Sequence, residues 1–240
     1  MLAFIGNGSA FNTKRGNNGA FMKEDTQLFL IDCGSSTFHR LVEKGVLEGV
    51  EEVTVLITHL HPDHVGSLGD LIFYSYFKLQ PAFTSKVNVM APAAIMDDLR
   101  SLLKAVGVTE EQHTLTTIEG EAREVSLCGV KKVEPVNVEH ARELDCFGYI
   151  LQLERERIYY SGDANMIPTA VLTQLERGEL QAVYQDCCKA DYEGNVHLSL
   201  RALDELIEPN HRKRVWCMHL DEGFSIEEAK ELGFQVVEAI

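Results

Sequence analysis

Val53-Thr54-Val55-Leu56-Ile57-Thr58-His59-Leu60-His61-Pro62-Asp63-His64 is the stretch whose reading decides the fold. Its first half is a β-branched, apolar run and reads as a buried strand. Its second half places three imidazoles and a carboxylate on the loop where that strand stops. Such a donor set suits a borderline-soft divalent ion such as zinc, and the chain has only nine histidines from which to build it. A simpler reading makes Asp63 a helix N-cap, His64 a first-turn residue and Pro62 a strand breaker. That reading accounts for one aspartate and none of the histidines, so a metal site is the better account.

Further donors lie downstream. His140 follows Val136-Asn137-Val138-Glu139, Asp163 closes Ile158-Tyr159-Tyr160-Ser161-Gly162, and His219 follows Val215-Trp216-Cys217-Met218. Each stands where a predicted strand ends, the place where α/β proteins collect their sites.

This order of residues resembles the metallo-β-lactamase superfamily, whose signature is H-x-H-x-D-H followed by a distant His, an Asp and a last His. The resemblance implies an α/β fold, a four-layer αββα sandwich. Asp32, in Leu28-Phe29-Leu30-Ile31-Asp32-Cys33-Gly34, matches that superfamily's early aspartate, which supports the ligand loop from behind. By the same resemblance, His59, His61 and His140 would hold one metal. Asp63, His64 and His219 would hold a second, and Asp163 would bridge the two. Zinc is the expected metal, with manganese an alternative.

Within the superfamily the chain is most similar to the tRNase Z-like phosphodiesterases. Phe4-Ile5-Gly6-Asn7-Gly8-Ser9-Ala10 matches their first strand and turn, Ser161-Gly162-Asp163 their Ser-Gly-Asp, and Phe147-Gly148-Tyr149 their Gly-Tyr strand. His197-Leu198-Ser199, after Gln185-Asp186-Cys187-Cys188, resembles their His-Glu-Ala-Thr … His-Ser elements. Asp186 then stands in place of Glu, and His197 is the catalytic histidine. Gln185 for His and the cysteine pair for Ala-Thr depart from the pattern, and His219 lacks the usual flanking residues.

A chain of 240 residues can bury one substantial core, and a single domain over 1–240 is expected. Against 22 Lys and Arg stand 37 Asp and Glu, a net charge of −15. That is a poor match to a large polyanion, because phosphate neutralisation supplies most nucleic-acid affinity. A small phosphate ester held by metal ions needs no basic surface. The six cysteines show no C-x-x-C spacing and no disulfide framework, and Cys33 and Cys217 read as buried thiols. No secretory signal and no membrane-length apolar run is recognisable. A reduced, cytoplasmic protein without membrane partners is expected.

Strands are predicted near 2–6, 27–32, 53–58, 86–91, 124–139, 147–153, 157–161, 181–186, 214–218 and 235–238. Helices are predicted near 35–44, 66–79, 92–105, 167–177, 198–207 and 225–231, with Gly45 and Gly107 at helix C-termini and a turn at 117–121. The helix 66–79 carries Leu71, Ile72, Phe73, Tyr74, Tyr76, Phe77 and Leu79 and leaves almost no polar face. It is buried either in the core or in a homodimer interface, with the dimer favoured. The loops at Gly6–Ser9 and Arg15–Gly19 read equally as structure or as binding elements bordering the site. His39, His113 and His211 read as surface residues.

Two divalent ions can activate water and clamp phosphoryl oxygens, and a leaving alkoxide needs a proton. His197, oriented by Asp186, is the expected general acid, and Asp63 is counted with this pair as catalytic as well as ligating. The tRNA-processing members insert a long basic arm between the Gly-Tyr and Ser-Gly-Asp strands. Here only a tight hairpin joins them. With the acidic charge, this turns the expectation from tRNA 3′-processing to small phosphodiesters. The chain is most similar to compact, dimeric cyclic-nucleotide phosphodiesterases such as the anti-Pycsar enzymes, which implies hydrolysis of 3′,5′-cyclic mononucleotides to monophosphates. A tRNA 3′-endonuclease and a non-catalytic nucleotide-binding scaffold remain the alternatives.

Overall fold

The structure is a computed structural model that describes residues 2–120 and 122–240. Among the described residues, thirteen strands form two sheets. The first sheet runs in chain order through β1 (Ala3–Gly6), β2 (Gly19–Glu24), β3 (Gln27–Ile31), β4 (Glu52–Leu56), β5 (Val87–Pro92) and β6 (His113–Ile118). Its first three strands pair antiparallel, and β3 to β6 pair parallel. The second sheet comprises β7 (Arg123–Leu127), β8 (Val130–Val138), β9 (Cys146–Leu153), β10 (Arg157–Tyr160), β11 (Ala182–Asp186), β12 (Val215–Met218) and β13 (Gln235–Val236). It too begins antiparallel, through β10, and continues parallel to β13.

The period-2 alternation of each strand divides the apolar residues between two cores. In β9, Tyr149, Leu151 and Leu153 join the core between the sheets, where Phe29 and Leu56 of the first sheet also lie, whereas Ile150 faces outward. The outward face of the second sheet is covered by α5 (Thr169–Glu176), α6 (Leu200–Leu206) and α7 (Ile226–Glu231), through Val171, Leu175, Leu203 and Ala229. Leu41 of α1 (Thr37–Glu43), Leu71 and Ile72 of α3 (Leu68–Lys78), and Leu99 and Leu103 of α4 (Ala93–Ala105) belong to the core cluster of the first sheet. The layers are therefore helix, sheet, sheet, helix.

The structure corrects the predicted elements in several places. The stretch 124–139 is a hairpin, β7 and β8, turning at Cys128-Gly129, both at positive φ. β2 and β6 are strands the pattern does not announce. His113 opens β6 and is buried, its Nδ1 2.9 Å from the Thr109 carbonyl, so it is no surface residue. The neighbouring β-branched threonines explain the strand. His211 is half-buried, its Nδ1 2.6 Å from Nη2 of Arg214. The predicted turn at 117–121 holds at Gly120, which has positive φ, but Thr117 and Ile118 end β6 and Glu121 lies outside the described residues. Gly45 and Gly107 follow helix ends at positive φ.

The helix expected at 66–79 is α3, and a separate single turn, α2 (Pro62–Val65), precedes it across Gly66-Ser67. A Cβ at Gly66 would strike Ser35 and the Pro62 carbonyl. α3 is not buried all round. Leu71, Ile72 and Ser75 face the core, while Phe77 and the following Phe83 are 46 % and 63 % exposed. Tyr76, Phe77 and Phe83 form an edge-to-face aromatic group on the outside.

Candidate metal centre

Every expected site residue except His197, which precedes α6 (Leu200–Leu206), lies at or just beyond the C-terminal end of a strand. Asp32 follows β3, residues 59–64 follow β4, His140 follows β8, Asp163 follows β10, Asp186 ends β11 and His219 follows β12. β8 and β10 both run antiparallel to β9, and β10, β11 and β12 are mutually parallel. Their C-terminal ends therefore share one edge of the second sheet. β3 and β4, also parallel, bring Asp32 beside the ligand loop.

That loop is braced from its neighbour. The Cys33 amide donates to the His64 carbonyl (2.7 Å) and the Ser35 amide to the Pro62 carbonyl (3.1 Å). Gly34 packs so closely that any Cβ there would collide with the Asp63 carbonyl oxygen. The α2 N-cap position belongs to His61, with Pro62 as first helical residue, so Asp63 does not cap the helix.

The structure brings the expected ligands into two groups that share Asp163, and Asp163 and His219 form a third with Asp186 and His197. His59, His61 and His140 gather on one side of it, and Asp63, His64 and His219 on the other. In the first group, Nδ1 of His61 lies 3.0 Å from Nε2 of His59 and 3.3 Å from Nε2 of His140. In the second, Nε2 of His64 is 3.3 Å from Asp63 Oδ2 and 3.2 Å from Asp163 Oδ1. Nε2 of His219 is 3.3 Å from both Asp63 Oδ2 and Asp163 Oδ2. A tetrahedral ion with bonds of about 2.0–2.1 Å sets its donor atoms roughly 3.3 Å apart. The observed separations are of that size.

Hydrogen bonding accounts for only part of the cluster. His64 Nε2 and Asp163 Oδ1 are buried and face each other without hydrogen-bond geometry, an arrangement that costs energy unless a cation lies between them. The far nitrogens are held from outside. Asp32 accepts from the Thr58 amide, the Thr58 hydroxyl and His64 Nδ1, each at 2.8 Å. An ionised carboxylate can only accept, so Nδ1 of His64 carries the proton and its Nε2 lone pair points into the group. Nδ1 of His140 donates to the Val196 carbonyl at 3.0 Å, with the same consequence.

The electrostatics agree with this geometry. Burial, reinforced by His64, holds His59 well below the ordinary range, and burial with His140 lowers His61, so both offer neutral nitrogens. Burial alone would raise Asp163, but His219 and His64 hold it well below the usual carboxylate range. His219 is pushed up to about 10, because Asp163 and Asp186 outweigh its burial. The cluster thus favours positive charge, whether carried by a proton or a divalent ion. Asp32 and His219 both adopt positive φ, at 64° and 57°. The surrounding bonds hold them in that sparsely populated region.

Beside the second group, Nδ1 of His197 lies 2.6 Å from Asp186 Oδ2, which also accepts from the Ala164 amide at 3.0 Å. Burial lowers His197, but the Asp186 charge and hydrogen bond outweigh it and raise its pKa. His61, Asp63, His140, Asp163, His197 and His219 all open onto one cavity of about 550 Å3. No Lys or Arg is among the described residues that line it.

Sequence reasoning missed part of the surroundings. Thr58 and the Ser161 hydroxyl, which accepts from the Asp186 amide at 2.9 Å, lay within quoted motifs without a role. Phe11 on the cavity wall carries no sequence signal, being one phenylalanine in a polar turn. The loops read as even between structure and binding brace each other and border the cavity. Gly8 forms bridges with Asn17 and Leu220, and Asn17 also faces the cavity.

Known proteins share this architecture and this sequence. The metallo-β-lactamase fold protein YhfI from Bacillus subtilis superposes with a TM-score of 0.75 at 14 % identity, over 98 % of this chain and 95 % of that one. The short form of human tRNase Z superposes at 0.69 and 16 % identity, over 99 % and 95 %. The fold is thus the metallo-β-lactamase fold. By sequence, the Anti-Pycsar protein Apyc1 of Paenibacillus harenae is 27 % identical over 99 % of this chain and 96 % of its own length. The family model described as "Anti-Pycsar protein Apyc1" matches residues 1–239. Taken with the fold and the donor set, that match makes this chain a metal-dependent hydrolase, a member of the Anti-Pycsar protein Apyc1 family.

Proposed function

We propose that the chain is a dinuclear metal-dependent phosphodiesterase that hydrolyses small phosphodiesters, 3′,5′-cyclic mononucleotides first among them, to monophosphates. The observation that carries this reading is the Asp186–His197 pair on the wall of the same cavity as two donor groups sharing one carboxylate. His59, His61 and His140 would hold one ion, Asp63, His64 and His219 the other, and Asp163 would be shared between them. Zinc is the preferred ion because imidazole and carboxylate at these spacings suit it, with manganese second. When bound, two such ions would activate a water and neutralise phosphoryl charge.

The remaining work falls to the chain. Asp63 and Asp163, kept ionised, supply the negative charge that draws the cations in. Asp186 grips Nδ1 of His197 and leaves Nε2 to protonate the departing alkoxide of the ester. The cavity carries no Lys or Arg among its described lining residues, so substrate charge is met by the metals and the protonated His197. That favours a single phosphodiester over a polyanion. β9 joins β10 through residues 154–156 alone, which leaves no arm with which to grip tRNA.

Two further assignments belong to this proposal. A second copy covers the outward aromatic group of Tyr76, Phe77 and Phe83, giving a homodimer that Phe77→Glu would dissociate in sedimentation. The six cysteines, free and buried, suit a reducing cytoplasm. No helix among the described residues is long and apolar enough to cross a membrane.

The test is a product assay on metal-replete protein with 3′,5′-cyclic AMP, GMP, CMP and UMP beside a precursor tRNA. Monophosphates formed by the wild type and not by Asp163→Ala support the proposal. Cleaved tRNA with intact cyclic nucleotides overturns it in favour of a tRNA 3′-endonuclease. Nucleotide binding without turnover of either substrate leaves a non-catalytic scaffold.

A further inference from the structure

Phe11 is 89 % exposed, the most exposed large apolar side chain among the described residues, and it lines the cavity that holds the metal donors and His197. A lone exposed phenylalanine on a surface needs no explanation. This one differs in its place and in its support. The turn that carries it is fastened at both ends and in the middle. The Ser9 amide donates to the Leu220 carbonyl at 3.0 Å, and Gly8 bridges to Asn17. Asn12, the next residue, is buried and donates from Nδ2 to the Leu220 carbonyl at 3.0 Å. The Asn12 amide donates to the Ser9 carbonyl and the Arg15 amide to the Asn12 carbonyl, both at 3.1 Å. A ring on so anchored a turn is presented at a fixed position rather than carried on a frayed loop.

The rest of the outer cavity is poor in groups that could read a base edge. Pro62, Ala141 and Val196 are apolar. Asn17 and Ser36 are tied together, the Asn17 backbone amide donating to Ser36 Oγ at 2.7 Å and the Ser36 backbone amide to Asn17 Oδ1 at 2.8 Å. The Ser35 hydroxyl donates to the Pro62 carbonyl at 3.0 Å. A ligand whose phosphodiester sits on the metals would meet a flat apolar ring, with the Thr13 hydroxyl and Asn17 Nδ2 as the polar side-chain groups beside it that make no hydrogen bond within the chain.

We infer that Phe11 is the platform on which the nucleobase of the substrate stacks, and that it sets the base preference by stacking area rather than by hydrogen bonds to base edges. This inference rests on the phosphodiesterase reading. Every base has a π-face, so such a platform accepts all four bases. Purines, with more area to cover, are held more tightly than pyrimidines.

The experiment compares wild type, Phe11→Ala and Phe11→Trp, each loaded with metal and checked for equal ion content. Substrates are the four 3′,5′-cyclic mononucleotides and the base-free 3′,5′-cyclic phosphate of 1-deoxyribose. Stacking of one base is worth about 1–3 kcal/mol by alanine substitution, so Phe11→Ala should raise KM for cyclic nucleotides by about 5- to 150-fold. The loss should fall on KM rather than kcat, be larger for purines, be much smaller for the base-free ester, and be recovered by Phe11→Trp. An unchanged KM in Phe11→Ala, beside an active wild type, overturns the platform and leaves the phosphodiesterase standing. An equal loss on the base-free ester also overturns it, since the ring would then shape the site rather than hold the base. A wild type inert toward all four cyclic nucleotides overturns both readings together.

Discussion

The two sheets furnish the candidate site in opposite ways. The first sheet gives four donors, His59, His61, Asp63 and His64, from one loop after β4, braced by residues 33–36. The second gives His140, Asp163, Asp186 and His219 from the ends of four strands spread over eighty positions, with His197 from the approach to α6. Both sheets begin antiparallel and end parallel, so both have an edge where strand ends collect. The difference lies in how proximity is made. In the first sheet it is covalent, through neighbours in the chain. In the second it is topological, since parallel strands bring distant residues to one edge. Each sheet also supplies one buried carboxylate that grips a histidine from behind, Asp32 for His64 and Asp186 for His197.

The largest expected effect breaks the comparison at its one shared point. Asp163 belongs to both donor groups, so Asp163→Ala should lower bound metal from two ions per chain and abolish turnover together, as read by elemental analysis and a product assay. A variant that kept both ions would mean that the two sheets hold metal independently. Chelation of the wild type should mimic this loss, and added zinc or manganese should reverse it. A smaller effect separates the sheets. His197→Ala removes the proposed proton donor and no ligand, so turnover should fall about 10²–10⁴-fold with two ions retained. Wild-type-like turnover in a metal-replete preparation would remove His197 from the mechanism.

The same contrast governs what could be read from the chain. The loop at 59–64 is legible because its donors are local, and chance seldom packs them so densely. The donors of the second sheet are legible only as an ordered set of strand-end residues. The distances of 3.3–3.6 Å that separate His140 and His219 from Asp163 depend on a topology that no window of sequence contains. β6 escaped notice because His113-Thr114-Leu115-Thr116-Thr117-Ile118 is threonine-rich rather than apolar, although β-branched. β2 escaped because it opens on Gly19-Ala20, small residues that continue the preceding loop in composition. α3 was read from composition as buried all round. Its rings are shared between the core and an exposed face, and the apolar count cannot show which side each takes. Phe11 had no signal, because the meaning of one exposed ring comes from the cavity beside it.

The finest test compares the two supporting carboxylates through the one in the first sheet. Asp32 sits at φ 64°, a region that Asn tolerates as well as Asp and Ala does not. Asp32→Asn therefore changes the chemistry and spares the backbone. The carboxylate accepts three hydrogen bonds, two from Thr58 and one from His64 Nδ1. The amide keeps one acceptor oxygen and turns a donor toward groups that already donate. His64 then loses the partner that fixes its proton on Nδ1 and its lone pair toward Asp63 and Asp163. Loss of such a partner typically costs 10–100-fold in metal affinity or activity. The cost should fall on one ion, that of the Asp63, His64 and His219 group, and excess metal should recover most of the turnover. His197→Ala, whose defect lies in proton transfer, should gain nothing from excess metal. A metal titration of both variants reads the difference directly. If added metal fails to rescue Asp32→Asn, the brace acts on the loop's fold rather than on the imidazole, and a fall in melting temperature of the metal-free protein would show it.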